Sequence, residues 1–231
     1  MKAVVIGGHT RNIGKTSLMA ALIREFAPLA WTAVKITQFG HGICSHDGHS
    51  CDCAPEEHPF ALSEETDLRG RTDTCRYLAA GARRSYWLRV RQGQLASALP
   101  VLARRLRGPG WAIIESNSIL DFVDPLLYLA VLDASKSDFK SSARRALARA
   151  DALVAIGADR GGAAIARPRW DGIEPEVLAA KPAFSVEEPG YWSAALAAFV
   201  RDRLESADDA APAREPAAVR ERPRSGDARR R

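Results

Sequence analysis

A glycine-rich segment near the N-terminus has the residue types and the spacing that suit phosphate binding. From Gly8 it follows the pattern G-x5-G-K-T, one residue longer than the standard phosphate-binding loop. Glycines let backbone N–H groups approach phosphate oxygens, and the positive end of a following helix dipole favours the same anion. The residues predicted to surround a nucleotide are Gly8, His9, Arg11, Asn12, Ile13, Gly14, Lys15, Thr16 and Ser17.

Four side chains of this segment have individual predicted roles. Lys15 would reach the β- and γ-phosphates, Thr16 would give its hydroxyl to Mg²⁺, and Ser17 would lie beside the α-phosphate. His9 would contact a β-phosphate or point to solvent. The alternative for the whole segment is a tight turn with an incidental Gly-Lys-Thr sequence. The position of the glycine-rich segment between an apolar strand and a helical pattern favours the phosphate loop over this alternative.

A second candidate site is a loop rich in cysteine and histidine, which we place at residues 38–60. Thiolate and imidazole are ligands suited to Zn²⁺, Ni²⁺ or an iron–sulfur centre, although the spacing C-x6-C-x-C is not that of a standard zinc ribbon. The alternatives are reduced, idle cysteines or a redox-labile patch. The predicted ligands of Zn²⁺ or Ni²⁺ are Cys44, His46, His49, Cys51 and Cys53.

Short apolar strands that alternate with helical patterns must position these segments. We predict strands at 2–6, 31–36, 85–90, 111–115, 128–132, 152–156 and 183–186, and helices at 15–26, 73–80, 94–107, 141–149 and 191–204. This alternation predicts an α/β fold with a mostly parallel sheet and helices on both faces, the Rossmann-like three-layer sandwich of P-loop NTPases. Residues 37–70 should form a long loop with at most short ordered pieces. We predict one domain over 1–205 and a disordered tail over 206–231.

Composition and charge limit the classes of partner that the protein is expected to bind. A chain of 231 residues with 46% hydrophobic residues can bury one sizeable core. Of the net charge of +5, residues 206–231 carry +2 (seven Arg against five Asp and Glu), and the +3 of the remaining chain is too mild to predict nucleic-acid binding. No run approaches the roughly 18 apolar residues of a membrane helix, and the first residues do not resemble a signal peptide. We therefore expect a cytoplasmic protein without membrane or nucleic-acid partners, whose reduced thiols favour metal binding over disulfides.

Several stretches resemble one superclass of P-loop proteins, which includes dethiobiotin synthetase and the urease and hydrogenase nickel-insertion GTPases. The long G-x5-G-K-T loop is similar to that of dethiobiotin synthetase. Residues 35–40, Lys-Ile-Thr-Gln-Phe-Gly, are similar to a lysine-containing strand end in that enzyme and in the molybdopterin-guanine dinucleotide biosynthesis protein B (MobB). Residues 73–82, Asp-Thr-Cys-Arg-Tyr-Leu-Ala-Ala-Gly-Ala, resemble the Asp-Ser/Thr…Arg…Ala-Gly-Ala stretch of MobB.

The second half of the chain adds two further similarities. The strand that ends in Glu115-Ser116 resembles one written Glu-Gly in MobB and Glu-Ser or Glu-Asn in the accessory GTPases, which implies that Glu115 lies beside Mg²⁺. Residues 132–140 and 149–154 are similar to the same GTPases. The guanine-binding Asn-Lys-x-Asp that follows there reads Ile-Gly-Ala-Asp here, so only Asp159 matches and both GTP and ATP stay open as ligands.

The resemblance implies a slow, Mg²⁺-dependent GTPase or ATPase of the MobB type, with Lys15, Lys35 and Glu115 at the catalytic site. It implies a client or partner protein, a role in molybdenum-cofactor or metal-cofactor maturation, and a homodimer. One alternative is a nickel or zinc metallochaperone GTPase. A second is an amidoligase like dethiobiotin synthetase, in which Lys35 would hold a carboxylate or carbamate of the substrate. Without that function Lys35 is simply an exposed lysine at the end of a strand. A third alternative is a non-catalytic regulator. Asp121 and Asp124 either assist the metal or cap a loop.

Overall fold

One sheet organises the part of the chain that the structure, a computed structural model, describes: residues 2–39, 59–157 and 172–209. Its strands are β1 (Ala3–Gly8), β2 (Thr32–Phe39), β3 (Phe60–Glu64), β4 (Arg84–Arg91), β5 (Ala112–Glu115), β6 (Leu127–Leu132), β7 (Ala152–Ile156) and β8 (Ala183–Val186). The helices are α1 (Lys15–Glu25), α2 (Asp73–Ala79), α3 (Leu95–Arg105), α4 (Ser141–Leu147), α5 (Pro175–Ala179) and α6 (Ala194–Asp209). Short 3-10 turns cover Ala27–Leu29 and Ser118–Asp121.

The strand order is β3-β4-β2-β5-β1-β6-β7-β8, and every neighbouring pair is parallel except β3 with β4. The pairing register places Glu115 of β5 beside both Ile6 of β1 and Lys35 of β2. Because the carboxyl ends of parallel strands share one edge of a sheet, the loops that follow β1, β5 and β6 meet at that edge.

Apolar layers cover both faces of this sheet. Helices α1, α2 and α6 pack on one face and α3, α4 and α5 on the other. Alternate strand residues serve the two layers: Val4 and Ile6 face α1, whereas Val5 faces the opposite layer. The near-continuous burial of β1 and β6 is typical of parallel strands that are covered twice. The predicted three-layer α/β fold is confirmed.

The predicted elements are found with two additions. The strands predicted at 152–156 and 183–186 have the same bounds in the structure. The sequence pattern does not predict β3 or α5, because each has five residues and shows no sustained period. The last helix continues to Asp209, and the rest of the predicted tail lies outside the described residues. Among the helices described, none combines the length and apolar character needed to span a membrane.

Candidate functional site

The loop between β1 and α1 has a backbone shape that depends on two glycines. Gly14 has φ of 79° and Asn12 has φ of 53°, both in the left-handed region that favours glycine. A Cβ on Gly14 would also lie 2.5 Å from the ring of Tyr191. A Cβ on Gly8 would lie 2.8 Å from Cδ of Lys15, because the lysine side chain folds back across the loop. The glycine spacing is therefore required by the conformation of the loop.

The ammonium of Lys15 lies over this loop. It donates to the carbonyl oxygen of Thr10 at 2.5 Å and forms no ion pair with any residue that the structure describes. Burial, opposed by the charges of Glu115 and Asp73 and assisted by those of Lys35 and Lys140, lowers the pKa of Lys15 to about 8. A desolvated ammonium that contacts only a carbonyl group is suited to bind an incoming anion.

Glu115, the last residue of β5, is the centre of a buried hydrogen-bond network at the carboxyl edge of the sheet. Its side chain is only 4% exposed. Oε2 accepts hydrogen bonds from the Thr16 hydroxyl at 2.9 Å and from the Tyr77 hydroxyl. Oε1 accepts from Nζ of Lys35 at 2.5 Å, and the same ammonium pairs with Asp73 at 2.8 Å. The network thus joins the end of β5 to α1, to α2 and to the middle of β2, where Lys35 lies inside the strand and not at the strand end that the sequence predicts.

The opposite charges in this network stabilise one another. Burial disfavours the ammonium of Lys35, but the charges of Glu115 and Asp73 outweigh that effect and raise the pKa of Lys35. Burial likewise acts against the Asp73 carboxylate, yet Lys35 and further hydrogen bonds hold the pKa of Asp73 below its usual value. Burial and the charge of Glu115 raise the pKa of Tyr77 well above its usual value, so the phenol stays protonated and remains a hydrogen-bond donor.

The oxygen atoms of the network fit Mg²⁺. The Thr16 hydroxyl and the Glu115 carboxylate are 2.9 Å apart, and such hard oxygen donors are the ligands that Mg²⁺ prefers. Within the described ranges, no group of three or more His, Cys, Asp or Glu side chains is arranged to hold a metal ion. Mg²⁺ usually takes only one or two protein ligands and completes its shell with water and phosphate oxygens. The donor set therefore suits a cation that arrives with a phosphate ligand.

Two further side chains, Asn117 and His9, fix the phosphate loop to the segments that follow β5 and β6. The amide of Asn117 accepts from the N–H of Gly8 and donates to its carbonyl oxygen, both at 2.9 Å. His9 is fully buried. Its Nδ1 donates to the carbonyl oxygen of Asp138 at 2.9 Å, and its Nε2 accepts from the N–H of Asp133 at 3.1 Å. This pair of bonds requires a neutral imidazole, and burial lowers the pKa of His9 accordingly.

The remaining predicted residues divide into three groups. Arg11 and Asn12 are exposed on the loop, whereas the Ile13 side chain is buried in the apolar layer beside α1. Ser17 accepts a hydrogen bond from Arg76 of α2 at 2.8 Å. The third group lies outside the described residues and consists of Asp159, Cys44, His46, His49, Cys51 and Cys53.

Sequence reasoning did not assign Asp73, Tyr77 or Asn117 to the site. Asp73 and Tyr77 are four residues apart on α2, a spacing that places both on one helix face, and this signal could have found them. Asn117 follows Glu115 by two residues, but its bond to Gly8 depends on how the strands align. Asp124, a candidate metal or loop-capping residue, forms an exposed ion pair with Arg149 at 2.7 Å.

Comparisons with known proteins leave the site to be interpreted from its own geometry. No protein-family model matches the chain, and no curated protein matches it. Among solved structures the chain is similar to HypB from Helicobacter pylori, whose crystal structure is in complex with nickel. The two share 14% sequence identity with a TM-score of 0.48, over 88% of this chain and 87% of that chain. Values this low do not support a functional assignment.

Proposed function

We propose that the chain binds a nucleoside triphosphate together with Mg²⁺ and hydrolyses it slowly. The observation that supports this best is the junction of two parts that are far apart in sequence. Thr16, which follows the glycine loop and Lys15, donates to Glu115 at the end of β5. A phosphate-binding loop and a carboxylate that can hold the accompanying cation therefore meet at one edge of the sheet.

The residues supply the functions that phosphoryl transfer to water requires, which are positioning and charge neutralisation. The backbone N–H groups of the loop and the ammonium of Lys15 would hold the phosphate tail. Thr16 and Glu115 would hold Mg²⁺, which neutralises charge on the phosphates when it is bound. Lys35 keeps Glu115 and Asp73 in place through contacts of 2.5 and 2.8 Å.

Asp73 and Tyr77 have different tasks in this scheme. The Asp73 side chain is 37% exposed, in contrast to the 4% of Glu115, so it is the carboxylate of the network that can meet a water molecule and orient it. Tyr77 is fully buried, and its hydroxyl holds one oxygen of Glu115 from the side of α2. The scheme assigns Lys15 to phosphate binding, Asp73 to water orientation, and Lys35 and Tyr77 to positioning.

The geometry of Lys35 favours the NTPase over the amidoligase alternative. A lysine that holds a substrate carboxylate needs a free ammonium, whereas Lys35 is already shared by Glu115 and Asp73. A substrate would have to displace one of these partners from a largely buried position. We therefore regard Lys35 as a positioning residue for the two carboxylates.

The biological role proposed here follows the resemblance to MobB. On that basis the chain is a cytoplasmic accessory protein of molybdenum-cofactor or metal-cofactor maturation that uses GTP or ATP, acts on a client protein and forms a homodimer. The metallochaperone alternative depends on Cys44, Cys51 and Cys53, which lie outside the described residues. Elemental analysis of protein purified without added metal, followed by zinc and nickel titration with and without nucleotide, distinguishes the two roles.

Nucleotide affinity of a Lys15→Ala variant tests the core of the proposal. We expect ATP or GTP binding, measured by calorimetry with Mg²⁺, to weaken about 100-fold, because each charge-assisted bond to a phosphate contributes about 1.5–3 kcal/mol. Arg24→Ala is the matched control, since it removes one positive charge from the last turn of the same helix. Equal affinities of Lys15→Ala and the unmodified protein would refute nucleotide binding at this loop.

A further inference from the structure

We propose that Lys140 is a second phosphate-binding lysine, presented to the terminal phosphate by the segment 133–140 between β6 and α4. The inference rests on the proposed nucleotide binding and adds to it a residue outside the glycine-rich motif. It follows from how this segment, called here the β6–α4 loop, is attached to the phosphate loop.

The β6–α4 loop is bonded to the phosphate loop at both of its ends. The N–H of Lys140 donates to the carbonyl oxygen of His9 at 2.9 Å. The ring of His9 bonds the Asp138 carbonyl oxygen at 2.9 Å and the Asp133 N–H at 3.1 Å. The Thr10 hydroxyl donates to the carboxylate of Asp138. The backbone of Lys140 is therefore one hydrogen bond away from the residues that would surround the phosphates.

His9 gives this attachment its rigidity. The ring is fully buried and packs against Phe139 with their centroids 5.2 Å apart. Both ring nitrogens bond to the β6–α4 loop, and the backbone N–H of His9 donates to Val131 at 3.2 Å. A residue held on three sides sets the distance between the two loops, so His9 is a positioning residue for Lys140.

The ammonium of Lys140 is the group in this attachment that lacks a partner. The side chain is exposed, and among the described residues its ammonium forms no hydrogen bond and no ion pair. Partial desolvation and repulsion from Arg11 lower the pKa of Lys140, and the charge of Asp138 opposes them. Lys35 adds further repulsion, and the charge of Lys140 in turn helps to lower the pKa of Lys15. These four cations thus act on one another at a single edge of the sheet.

Such an arrangement is matched by a strongly anionic ligand. Lys35 is neutralised by two carboxylates, but Lys15 and Lys140 have no acidic side chain in contact within the described residues. Lys140 also interacts electrostatically with Glu115, the residue proposed to lie beside Mg²⁺. That end of the site is where the terminal phosphate would lie, so Lys140 should respond to a triphosphate more strongly than to a diphosphate.

Comparison of triphosphate and diphosphate affinities tests the role of Lys140. For Lys140→Ala we expect triphosphate binding about tenfold weaker, and diphosphate binding weaker by less than about threefold, as befits the loss of one charge-assisted contact. Lys140→Arg should recover most of the loss. Lys136→Ala, which removes the same charge four residues earlier in the β6–α4 loop, should leave both affinities unchanged.

The outcomes separate this inference from the proposed function. If Lys140→Ala leaves both affinities unchanged while Lys15→Ala abolishes binding, the inference is wrong and nucleotide binding stands. If neither substitution changes affinity, both proposals fail. An equal loss for triphosphate and diphosphate would also overturn the inference, because it would indicate a general electrostatic effect.

His9→Gln provides a second, independent test. We expect it to reproduce the selective loss of triphosphate affinity, and Lys140→Ala in that background should add little, because the two residues act through one contact. Circular dichroism and thermal melting would show whether the variant is folded. Fully additive losses would contradict a positioning role for His9, and an unfolded variant leaves the Lys140 comparison as the deciding measurement.

Discussion

Two glutamates in this protein each accept several hydrogen bonds, but their donors come from different distances along the chain. Glu65 accepts from the hydroxyls of Thr72 at 3.1 Å and Thr74 at 2.8 Å, and from the N–H groups of Thr66 and Asp67 at 3.1 Å each. The more distant of these two hydroxyl donors is nine residues away. The three donors to Glu115 are 99, 80 and 38 residues away.

The difference shows which carboxylate organises a turn and which can respond to a ligand. Glu65 shapes the segment between β3 and α2, because all its donors belong to that segment or to the first turn of α2. Glu115 gathers donors from α1, α2 and β2 at the mouth of the phosphate loop. An incoming cation can replace the hydroxyl of Thr16 as its partner at the mouth of the phosphate loop, whereas the donors to Glu65 all come from one local segment.

Neutralising each of the two carboxylates in turn should give the largest difference in hydrolysis rate. In Glu115→Gln we expect Mg²⁺-dependent hydrolysis to fall about 100-fold or more in single-turnover measurements, because electrostatic stabilisation of the transition state is lost. Glu65→Gln, the matched control, should hydrolyse the nucleotide at the original rate. Similar rates for the two variants would remove the functional distinction between the two glutamates.

The protonation of Lys15, in the phosphate loop, should make the stability of the protein depend on pH. Its folded pKa of about 8 lies below the unfolded value of about 10.4, so the charged form costs stability below pH 8. That cost should disappear as pH rises from about 8 to about 10.4, because the unfolded chain then binds more protons. Over this window, chemical denaturation should show the ligand-free protein gaining stability relative to Lys15→Met.

Nucleotide affinity should change in the opposite direction over the same pH range. Phosphate binding needs the ammonium, so affinity should fall by up to about tenfold per pH unit above the pKa of Lys15 in the free protein. The fall should end at the pKa of Lys15 in the complex, which the bound phosphate raises. Calorimetry at several pH values gives the slope. A flat affinity profile from pH 7 to pH 10 would contradict a role for the Lys15 charge.

Removing one hydroxyl donor from each glutamate gives a smaller and more selective test. Tyr77→Phe takes a donor from Glu115, and Thr74→Val takes one from Glu65. Both should lower the free energy of unfolding by about 1 kcal/mol, the usual net contribution of a buried hydrogen bond. Only Tyr77→Phe should also slow hydrolysis, by about three- to tenfold, since it loosens a positioned carboxylate. Equal rates would show that Tyr77 is purely structural.

The acid response of Glu65 should change stability alone and leave nucleotide binding and hydrolysis unaffected. Burial acts to raise the pKa of Glu65, but hydrogen bonds from Cys75, Asp67, Thr74 and Thr72 outweigh it and lower the pKa to about 2. The stability that the carboxylate contributes is therefore present above about pH 4.5 and is lost as pH falls from 4.5 towards 2. Allowing for solvent screening, Glu65→Gln should remove about 1–2 kcal/mol of this pH dependence in urea denaturation curves.

The sequence by itself determined the parts of this protein that depend on local signals. The spacing of Gly8, Gly14 and Lys15 predicts the phosphate loop, because positive φ and close backbone approach are properties of those residues and their neighbours. Apolar runs between turn signals predict β7 and β8 with their observed bounds. Together these signals were sufficient for the α/β class and for the first candidate residues.

Only the tertiary structure decided which distant side chains share a site. The contact between Lys35 and Glu115 depends on the register of β2 with β5, which no local pattern specifies. The buried ring of His9 and the orientation of Tyr77 towards Glu115 depend on which segments pack above them. Propensity and spacing act over a few residues, whereas burial and pairing are settled by the whole sheet.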